Sequence, residues 1–262
     1  MTSKERMMIA LNLGKPDRVP ATIHQWLPFH LKYHMGGKSE IEAFRHTGLD
    51  AAISVSPIIE KTTGNWKTST VESNNGECNI TDYTIKTPDG NLTYQIEYNE
   101  VTPWFTQRLI KNDEDIFIIK KYRPVPSLDK NFISKTYDEV GDDGIIRSFC
   151  TGNQGGCWQD ACAMYGTEEM IMATFDKPEW VHEFLNILLE QKLQFIEESL
   201  KGARVDLIET GGGAASSNVI SPSLYKEFCL PYDRKMHNAL HNIGFKAVYH
   251  TCGGMIKILD LI

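Results

Sequence analysis

The decisive stretch of the chain, residues 246–255, reads KAVYHTCGGM. The apolar run from Phe245 to Tyr249 is rich in β-formers, which predicts a buried strand. Because residues two apart on a strand point to the same face, His250 and Cys252 are predicted to project together from its carboxyl end. Imidazole and thiolate are donors that suit Zn²⁺, so this pair is interpreted as half of a metal site.

The order of strand, glycine-rich loop, helix and strand recurs from residue 144 to 262, which predicts βα units on a parallel sheet. Strands are predicted at 144–150 and 203–210. The loop after the first of them, TGNQGGCW at 151–158, is rich in glycine but matches no phosphate-binding motif. Glu209 lies near the carboxyl end of the second strand. A buried carboxylate is costly without a partner or purpose, so Glu209 is a further candidate for chemistry.

The pattern changes between residues 61 and 100, where polar and β-branched residues alternate. The turn KTPDGN at 86–91 predicts a β-hairpin with the arms CNITDYTIKT and LTYQIEYNEV. We therefore predict an antiparallel insertion in the α/β domain. The sequence leaves open whether the insertion covers the mouth of the domain or serves as an interface, for example in a homodimer.

Other segments predict further elements. Capping boxes of the form S/T-x-x-E begin at Thr2 and Ser39. Long helices are predicted at 179–201 and 222–242, each with an apolar face. Residues 21–26, ATIHQW, are expected to form the first strand.

Composition excludes several classes of protein. The formal net charge is −7, which argues against nucleic-acid binding because that requires a basic face. No run of about 18 apolar residues is present, so no membrane span is expected. The first residues are too interrupted by charge for a signal peptide. The six cysteines are widely spaced without a C-x-x-C pair, and they are interpreted as reduced thiols of a cytoplasmic protein.

Three segments resemble the uroporphyrinogen decarboxylase superfamily, and within it the corrinoid-dependent methyltransferases. They are RMMIALNLGKPDRVP at 6–20, ISPSLYKEFCLPYDRKMHNALHNIG at 220–244 and YHTCGG at 249–254. The resemblance implies that residues 1–262 form a single α/β domain, a TIM-type (β/α)8 barrel. It also implies an active site in a deep cleft at the carboxyl ends of the strands.

The resemblance separates two branches of the superfamily. The decarboxylases carry an arginine, in a Gln-Ala-Gly-Arg-Tyr segment just after D-R-x-P, that grips substrate carboxylates. Here residues 24–30 read HQWLPFH without an arginine, so a porphyrinogen with many carboxylates is poorly matched. The methyltransferases instead carry H-x-C and a distant second cysteine as zinc ligands. The resemblance therefore implies that His250 and Cys252 are zinc ligands, and both are assigned to catalysis together with Glu209.

The second cysteine is expected beyond Ile262. In the family it lies well downstream of H-x-C, and an eight-fold barrel needs roughly two more βα units than the sequence offers. We therefore expect an incomplete barrel and a missing third ligand. Cys150 and Glu209 are the candidates for that role within the chain.

The remaining candidates are assigned to substrate binding. His24 and Trp26 would share one face of the first strand, although a satisfied core histidine is an alternative interpretation of His24. Glu209 or Asn218 would hydrogen-bond a pterin if the acceptor is tetrahydrofolate, a variant that needs no metal. Asp17 and Arg18 form a turn pair that lies near the cleft in this family.

The expected function is methyl transfer between a corrinoid, such as methylcobalamin on a corrinoid protein, and a thiol, tetrahydrofolate or methylated small molecule. Zn²⁺ would deprotonate a thiol or polarise a methyl donor. Two alternatives stay open: a uroporphyrinogen decarboxylase or a related enzyme of tetrapyrrole biosynthesis, and a non-catalytic barrel that binds a corrinoid or a partner.

Overall fold

The computed structural model describes residues 1–151 and 154–262. Within these ranges the chain forms, in order, α1 (Ser3–Leu11), α2 (Pro28–His34), α3 (Glu40–Thr47), β1 (Ala51–Ser54), β2 (Ile58–Ile59), β3 (Lys67–Asn74), β4 (Asn79–Thr87), β5 (Gly90–Tyr98), β6 (Pro103–Gln107), α4 (Asp115–Tyr122), β7 (Ser127–Leu128), α5 (Lys130–Val140), β8 (Gly144–Phe149), α6 (Cys157–Tyr165), α7 (Thr167–Asp176), α8 (Pro178–Phe195), β9 (Leu207–Gly211), α9 (Pro222–Phe228), α10 (Leu230–Asn242) and β10 (Ala247–His250). Short 3₁₀ turns lie at Gly141–Asp143, Gly213–Ala215 and Leu259–Leu261.

The site is positioned by a parallel sheet with the strand order β1-β8-β9-β10. The register pairs Arg147 with Leu207 and Val248 with Glu209, and all three strand pairs are parallel. The predicted α/β fold with a parallel sheet is thereby confirmed, and the carboxyl ends of the strands meet at one edge. Over the ranges described, the sheet has four strands and does not close, so the eight-stranded barrel stays a prediction.

Both faces of this sheet are covered. Ile145 and Leu207 pack with Met7 of α1 in a small apolar cluster on one face. Ile146 and Ile208, one residue further along the same strands, belong to the main core on the other face, where α5 and α10 contact the sheet. The alternation follows from the two-residue period of a strand. It separates a face that carries the site from a face that packs on helices.

The helix starts follow the sequence signals. Thr2 and Glu5 form a complete capping box at α1, and Ser39 and Glu42 form another at α3. Gly48 ends α3 with a φ of 70°, a left-handed conformation that glycine adopts without strain. Both predicted capping boxes are confirmed.

The segment 21–26 is not a strand, which corrects the prediction. One backbone hydrogen bond, from Asp50 N–H to the carbonyl of Ala21 at 2.8 Å, joins its start to the residue before β1. The carbonyl of His24 accepts from the guanidinium of Arg147 instead of from a neighbouring strand. A side-chain donor therefore takes the place of a backbone ladder in this segment.

The insertion is a four-stranded antiparallel sheet over residues 67–107, in the order β3-β4-β5-β6, rather than a hairpin over 61–100. The predicted hairpin is present as β4 and β5, with Thr87 opposite Gly90 across the turn. Strand β3 was not predicted because all its residues are exposed, so it carries no apolar alternation. Strand β6 was not predicted either, and it pairs with β5 across a register shift between Gln95 and Ile96.

The predicted helix at 222–242 is broken at Cys229 into α9 and α10. Pro231 lies in the first turn of α10 and has no N–H to continue the hydrogen bonds of α9. The predicted helix at 179–201 begins at Pro178, and a π-helical turn at Ile196–Leu200 extends it. No helix in the part of the chain that the structure describes is both long and apolar enough to cross a membrane.

Candidate metal and substrate site

Two histidines meet at one carboxylate oxygen at the carboxyl edge of the parallel sheet. Oε1 of Glu209 lies 3.2 Å from Nε2 of His24 and 3.2 Å from Nδ1 of His250. Glu209 is 2 % exposed, whereas the side chains of His24 and His250 are 47 % and 19 % exposed. The carboxylate therefore lies at the base of the site, and the imidazoles lie between it and solvent.

The other oxygen of Glu209 is occupied by Arg147. This guanidinium donates through Nη1 to Oε2 of Glu209 and through Nη2 to the carbonyl of His24. Its Nε donates to the carbonyl of Ala52 at 3.3 Å. Arg147 is buried, so the pair compensates two charges that would each be costly alone.

Cys252 lies on the far side of the His250 ring. Its Sγ is 3.2 Å from Nε2 of His250, the nitrogen that faces away from Glu209. The thiol is exposed. Gly213 allows this approach, because a Cβ at that position would lie 2.9 Å from Sγ of Cys252. The predicted proximity of His250 and Cys252 is thus present, although Cys252 follows the end of β10.

Gln154 fixes the hydrogen-bonding role of the same ring nitrogen. Its Oε1 accepts from the backbone N–H of Gly213 at 3.2 Å, so its amide N–H₂ is the group 3.5 Å from Nε2 of His250. Nε2 therefore acts as an acceptor, which leaves the ring proton on Nδ1, 3.2 Å from Oε1 of Glu209. Gly152 and Asn153 of the predicted loop lie outside the described residues.

A cavity of about 500 Å³ opens beside these groups on the site face of the sheet. Arg147, Glu209 and His250 line it together with His24. Most of the wall is apolar and comes from α1 and the strands: Met7, Ala10, Leu11, Pro20, Ile23, Ala52, Ile145, Leu207, Val248 and Met255. Such a cavity suits a small molecule with an apolar body and a few polar contacts.

The donors around the cavity fit a divalent metal ion. One ligand atom each from His24, Glu209 and His250 lie within 4.8 Å of one another. Burial lowers the pKa of His250, which favours the neutral imidazole that a metal requires. Imidazole nitrogen and carboxylate oxygen are ligands that Zn²⁺ accepts. The thiol of Cys252 adds a softer donor beside the other ring nitrogen of His250, Nε2. His250 is common to both sets of donors.

Two of the residues assigned to substrate binding, Trp26 and Asn218, are not among the residues that line the cavity. The indole of Trp26 packs edge-on against Phe44, with ring centroids 6.1 Å apart. Its Nε1 is buried and has no hydrogen-bond partner among the described residues. Asn218 is exposed and packs against Gly254, where a Cβ would lie 2.7 Å from Cγ of Asn218. Their contact with a substrate stays a prediction.

Asp17 and Arg18 belong to a network of ion pairs at the start of the chain. Arg6 donates to Asp17 at 2.7 and 2.9 Å and to Asp50 at 2.6 Å. Arg18 donates to both oxygens of Asp50, at 2.8 and 3.1 Å. These contacts give both residues a structural role, and their role in substrate binding stays a prediction.

Cys150, the other cysteine considered as a ligand, is fully buried in the main core. Burial raises the pKa of its thiol to about 12, which disfavours a thiolate ligand. Arg147, in contrast, is a site residue that the sequence analysis missed. The available signal was a charged side chain in the middle of the apolar strand GIIRSF, which is costly unless a partner faces it.

Comparisons with known proteins agree with this fold. The chain matches the family Uroporphyrinogen decarboxylase (URO-D) over residues 79–262, which is more than half of its length. The chain therefore belongs to the uroporphyrinogen decarboxylase family. No curated protein sequence matches it.

One solved structure shows the same fold. It is a methyltransferase from Methanosarcina mazei, similar with a TM-score of 0.62 at 16% sequence identity. The likeness covers 100% of this chain and 73% of that protein. At this identity the comparison supports the architecture.

Proposed function

We propose that this protein is a corrinoid-dependent methyltransferase, which moves a methyl group between a methylcorrinoid and a thiol, a tetrahydrofolate or a methylated small molecule. The observation that carries the proposal is the arrangement around His250. Its Nε2 lies 3.2 Å from the thiol of Cys252, and its Nδ1 lies 3.2 Å from Glu209. Metal-binding histidines typically donate their second ring N–H to a carboxylate in this way.

The residues have separate roles in this proposal. His250 and Cys252 would hold Zn²⁺ through Nε2 and Sγ, and Glu209 would keep the proton of His250 on Nδ1. When bound, Zn²⁺ supplies Lewis acidity that lowers the pKa of a thiol or polarises a methyl donor. His24 lies at the entrance, where its half-exposed ring contacts Glu209 on the side opposite Arg147.

The cavity supports this chemistry through its lining. Its apolar wall suits the body of a methyl-bearing molecule, and His24, Arg147, Glu209 and His250 supply the polar contacts. In the transfer from cobalt, the methyl group moves to the nucleophile, and the two electrons of the cobalt–carbon bond remain on cobalt. The protein contributes orientation, while the corrinoid supplies the reactive bond.

The insertion of strands β3 to β6 is the part of the chain that we propose to lie near a bound corrinoid protein. It follows β1, so it leaves the sheet at the carboxyl edge that carries the site. Glu100, in the turn between β5 and β6, accepts from Lys32 and Tyr33 of α2 at 3.1 and 2.8 Å. We propose that a corrinoid protein docks at this edge of the sheet.

The family name makes decarboxylation of a porphyrinogen the second candidate. That substrate carries many carboxylates and needs cations that are not already paired. Among the described residues that line the cavity, Arg147 is the one lysine or arginine, and it pairs with Glu209. This pairing favours methyl transfer over decarboxylation.

The first test is metal content. Purified protein is expected to hold about one zinc ion per chain. Cys252→Ser is expected to lose it, whereas the matched control Cys78→Ser, in the insertion, is expected to retain it. A metal lost in His24→Ala and kept in Cys252→Ser would instead assign it to the His24, Glu209 and His250 donors.

The second test is activity. Methylcobalamin is mixed with the protein and a panel of thiols or tetrahydrofolate, and the cobalamin spectrum is followed for conversion to the cob(I) form. The conversion is expected with wild type and lost in His250→Ala. Release of CO₂ from a porphyrinogen without this spectral change would replace the proposal with decarboxylation. Neither reaction, together with corrinoid binding, would support a non-catalytic barrel.

A further inference from the structure

We infer that Arg147 is a positioning residue that holds Glu209 and the His24 segment in the geometry that the two imidazoles require. The inference concerns the site of the proposed function and rests on that function only for its metal-binding readout. Arg147 contacts three separate parts of the chain: Glu209 on β9, His24 in the loop at 21–26, and Ala52 on β1.

The two oxygens of the Glu209 carboxylate have different partners. Arg147 takes Oε2 of Glu209, and Oε1 faces His24 and His250 at 3.2 Å each. Because the guanidinium compensates the charge on one oxygen, the buried carboxylate does not need to rotate toward solvent. Its second oxygen is thereby fixed within 3.2 Å of a nitrogen of each ring.

The segment at 21–26, which contains His24, is held in place by Arg147. This segment has no strand neighbour, and its backbone is held beside the site by the bond from Arg147 to the carbonyl of His24. The ring of His24 therefore reaches Glu209 through a loop that the same guanidinium anchors. The planar guanidinium of Arg147 therefore sets the position of both residues in the His24–Glu209 contact.

A purely structural role is the alternative to positioning. An apolar side chain of similar length would fill the space of Arg147 but would leave the buried Glu209 without its compensating charge. Such a replacement removes the contacts to Oε2 and to the His24 carbonyl together. Packing predicts that Arg147→Met keeps the site, whereas positioning predicts that Arg147→Met loses it.

The test measures the tautomers of His24 and His250 in metal-free protein by long-range ¹H–¹⁵N spectra of histidine-labelled samples. In wild type, His24 is expected in the Nε2–H form, because Nε2 contacts Glu209, and His250 in the Nδ1–H form, because its Nε2 accepts from Gln154. Arg147→Met is expected to release both rings to the averaged tautomers of free imidazole. Wild-type tautomers in Arg147→Met, or averaged tautomers in wild type, would overturn the inference.

Two further variants separate the contacts. Arg147→Lys keeps one charge but loses the fork, so His250 is expected to keep its tautomer while His24 loses it. Arg147→Ala is expected to regain both tautomers when a few millimolar guanidinium ion is added, with sodium chloride at the same concentration as the control. Wild-type tautomers in Arg147→Met, together with no recovery of Arg147→Ala by guanidinium ion, would assign Arg147 to packing. If Arg147→Met does not fold, as judged by circular dichroism, Arg147→Lys decides.

Metal binding gives an independent readout with Co²⁺ alone as the probe. Its affinity, measured from the visible absorption of the bound ion, is expected to fall about 10- to 100-fold in Arg147→Met, as for other residues that orient ligands. An unchanged affinity in a folded Arg147→Met would contradict the inference. A wild-type protein that does not bind Co²⁺ or does not convert methylcobalamin would count against the proposed function. The histidine tautomers are measured without metal, so they decide the role of Arg147 by themselves.

Discussion

The two faces of strands β9 and β10 both carry buried polar side chains, yet only one face forms a site. On the site face, Glu209 and His250 lie beside a cavity. On the helix face, Thr210 contacts Nε2 of His237 at 2.6 Å, and Tyr249 donates to Asp233 at 3.0 Å. Adjacent residues of the same strands therefore enter two different polar groups.

The difference lies in access. The helix-face groups are enclosed: Thr210 and Asp233 are buried, and Lys192 behind the end of β8 pairs with Asp160 at 2.6 Å in full burial. On the site face, the rings of His24 and His250 reach solvent or the cavity. A buried polar group thus indicates chemistry only where a bonding direction stays open to a ligand. Changes on the helix face should alter stability, and changes on the site face should alter binding.

The largest effect is expected for Lys192→Met on the helix side. The substitution leaves the buried Asp160 without this cation and removes donors from the carbonyls of Cys150 and Thr151. The free energy of unfolding in urea should fall by about 3–5 kcal/mol. The double variant Lys192→Met with Asp160→Asn should recover part of that loss. Equal stability of the single variant and wild type would remove the distinction between the faces.

The next effect is a pH dependence from Asp233. Burial raises its pKa to about 7, although Tyr249, Tyr225 and Lys192 favour its charged form. Because the folded-state pKa lies above the unfolded one, its contribution to stability is full at low pH and is lost as the pH rises through 7. Between pH 5 and 8, wild type should lose roughly 2–3 kcal/mol relative to Asp233→Asn.

This pH dependence is measured by urea unfolding of both proteins across the range, with the surface change Asp142→Asn as the control. A constant difference between wild type and Asp233→Asn from pH 5 to 8 would show that Asp233 is charged in the folded protein throughout.

A smaller effect, on binding alone, is expected for Gly213→Ala. The new Cβ would lie 2.9 Å from Sγ of Cys252, so the thiol must rotate away from His250. Co²⁺ affinity should fall about tenfold, in the range found for perturbed ligand positions. Gly64→Ala is the matched control, since nothing lies within 4 Å of its Cβ position. Equal affinities of the two variants would argue against Cys252 as a ligand.

The smallest effect on stability is expected for Cys252→Ser. This thiol is exposed, so the free energy of unfolding should change by less than about 0.5 kcal/mol. Cys157→Ser, in the core, should cost about 1–3 kcal/mol because it buries a hydroxyl. Labelling of native protein with a thiol reagent should be fast at Cys252 and absent at Cys157, whose pKa burial raises. Fast labelling of Cys157 would show that the helix face opens.

Part of the candidate site was predictable from local sequence. His250 and Cys252 were assigned as neighbours because they lie two residues apart at a strand end, and they are 3.2 Å apart. Glu209 was assigned because it ends a buried strand before glycines. Arg147 was missed because its partner lies 62 residues away, and only the order and register of β8 and β9 bring them together.

The sequence by itself determined the elements with strong local signals. These are the capping boxes, the hairpin turn, the parallel strands β8 to β10, and the proximity of His250 and Cys252. Their signals act over a few residues, through hydrogen bonds within a turn and the alternation of side chains along a strand.

Only the tertiary structure decided that the segment 21–26 is a loop whose His24 reaches Glu209, 185 residues away in sequence. The reason is physical: which side chains share one buried carboxylate depends on how strands are ordered in the sheet. No local pattern at His24 or Arg147 contains that order. His250 and Cys252 lie two residues apart in the sequence. The stretch that contains them does not specify the other three residues of the candidate site, His24, Glu209 and Arg147.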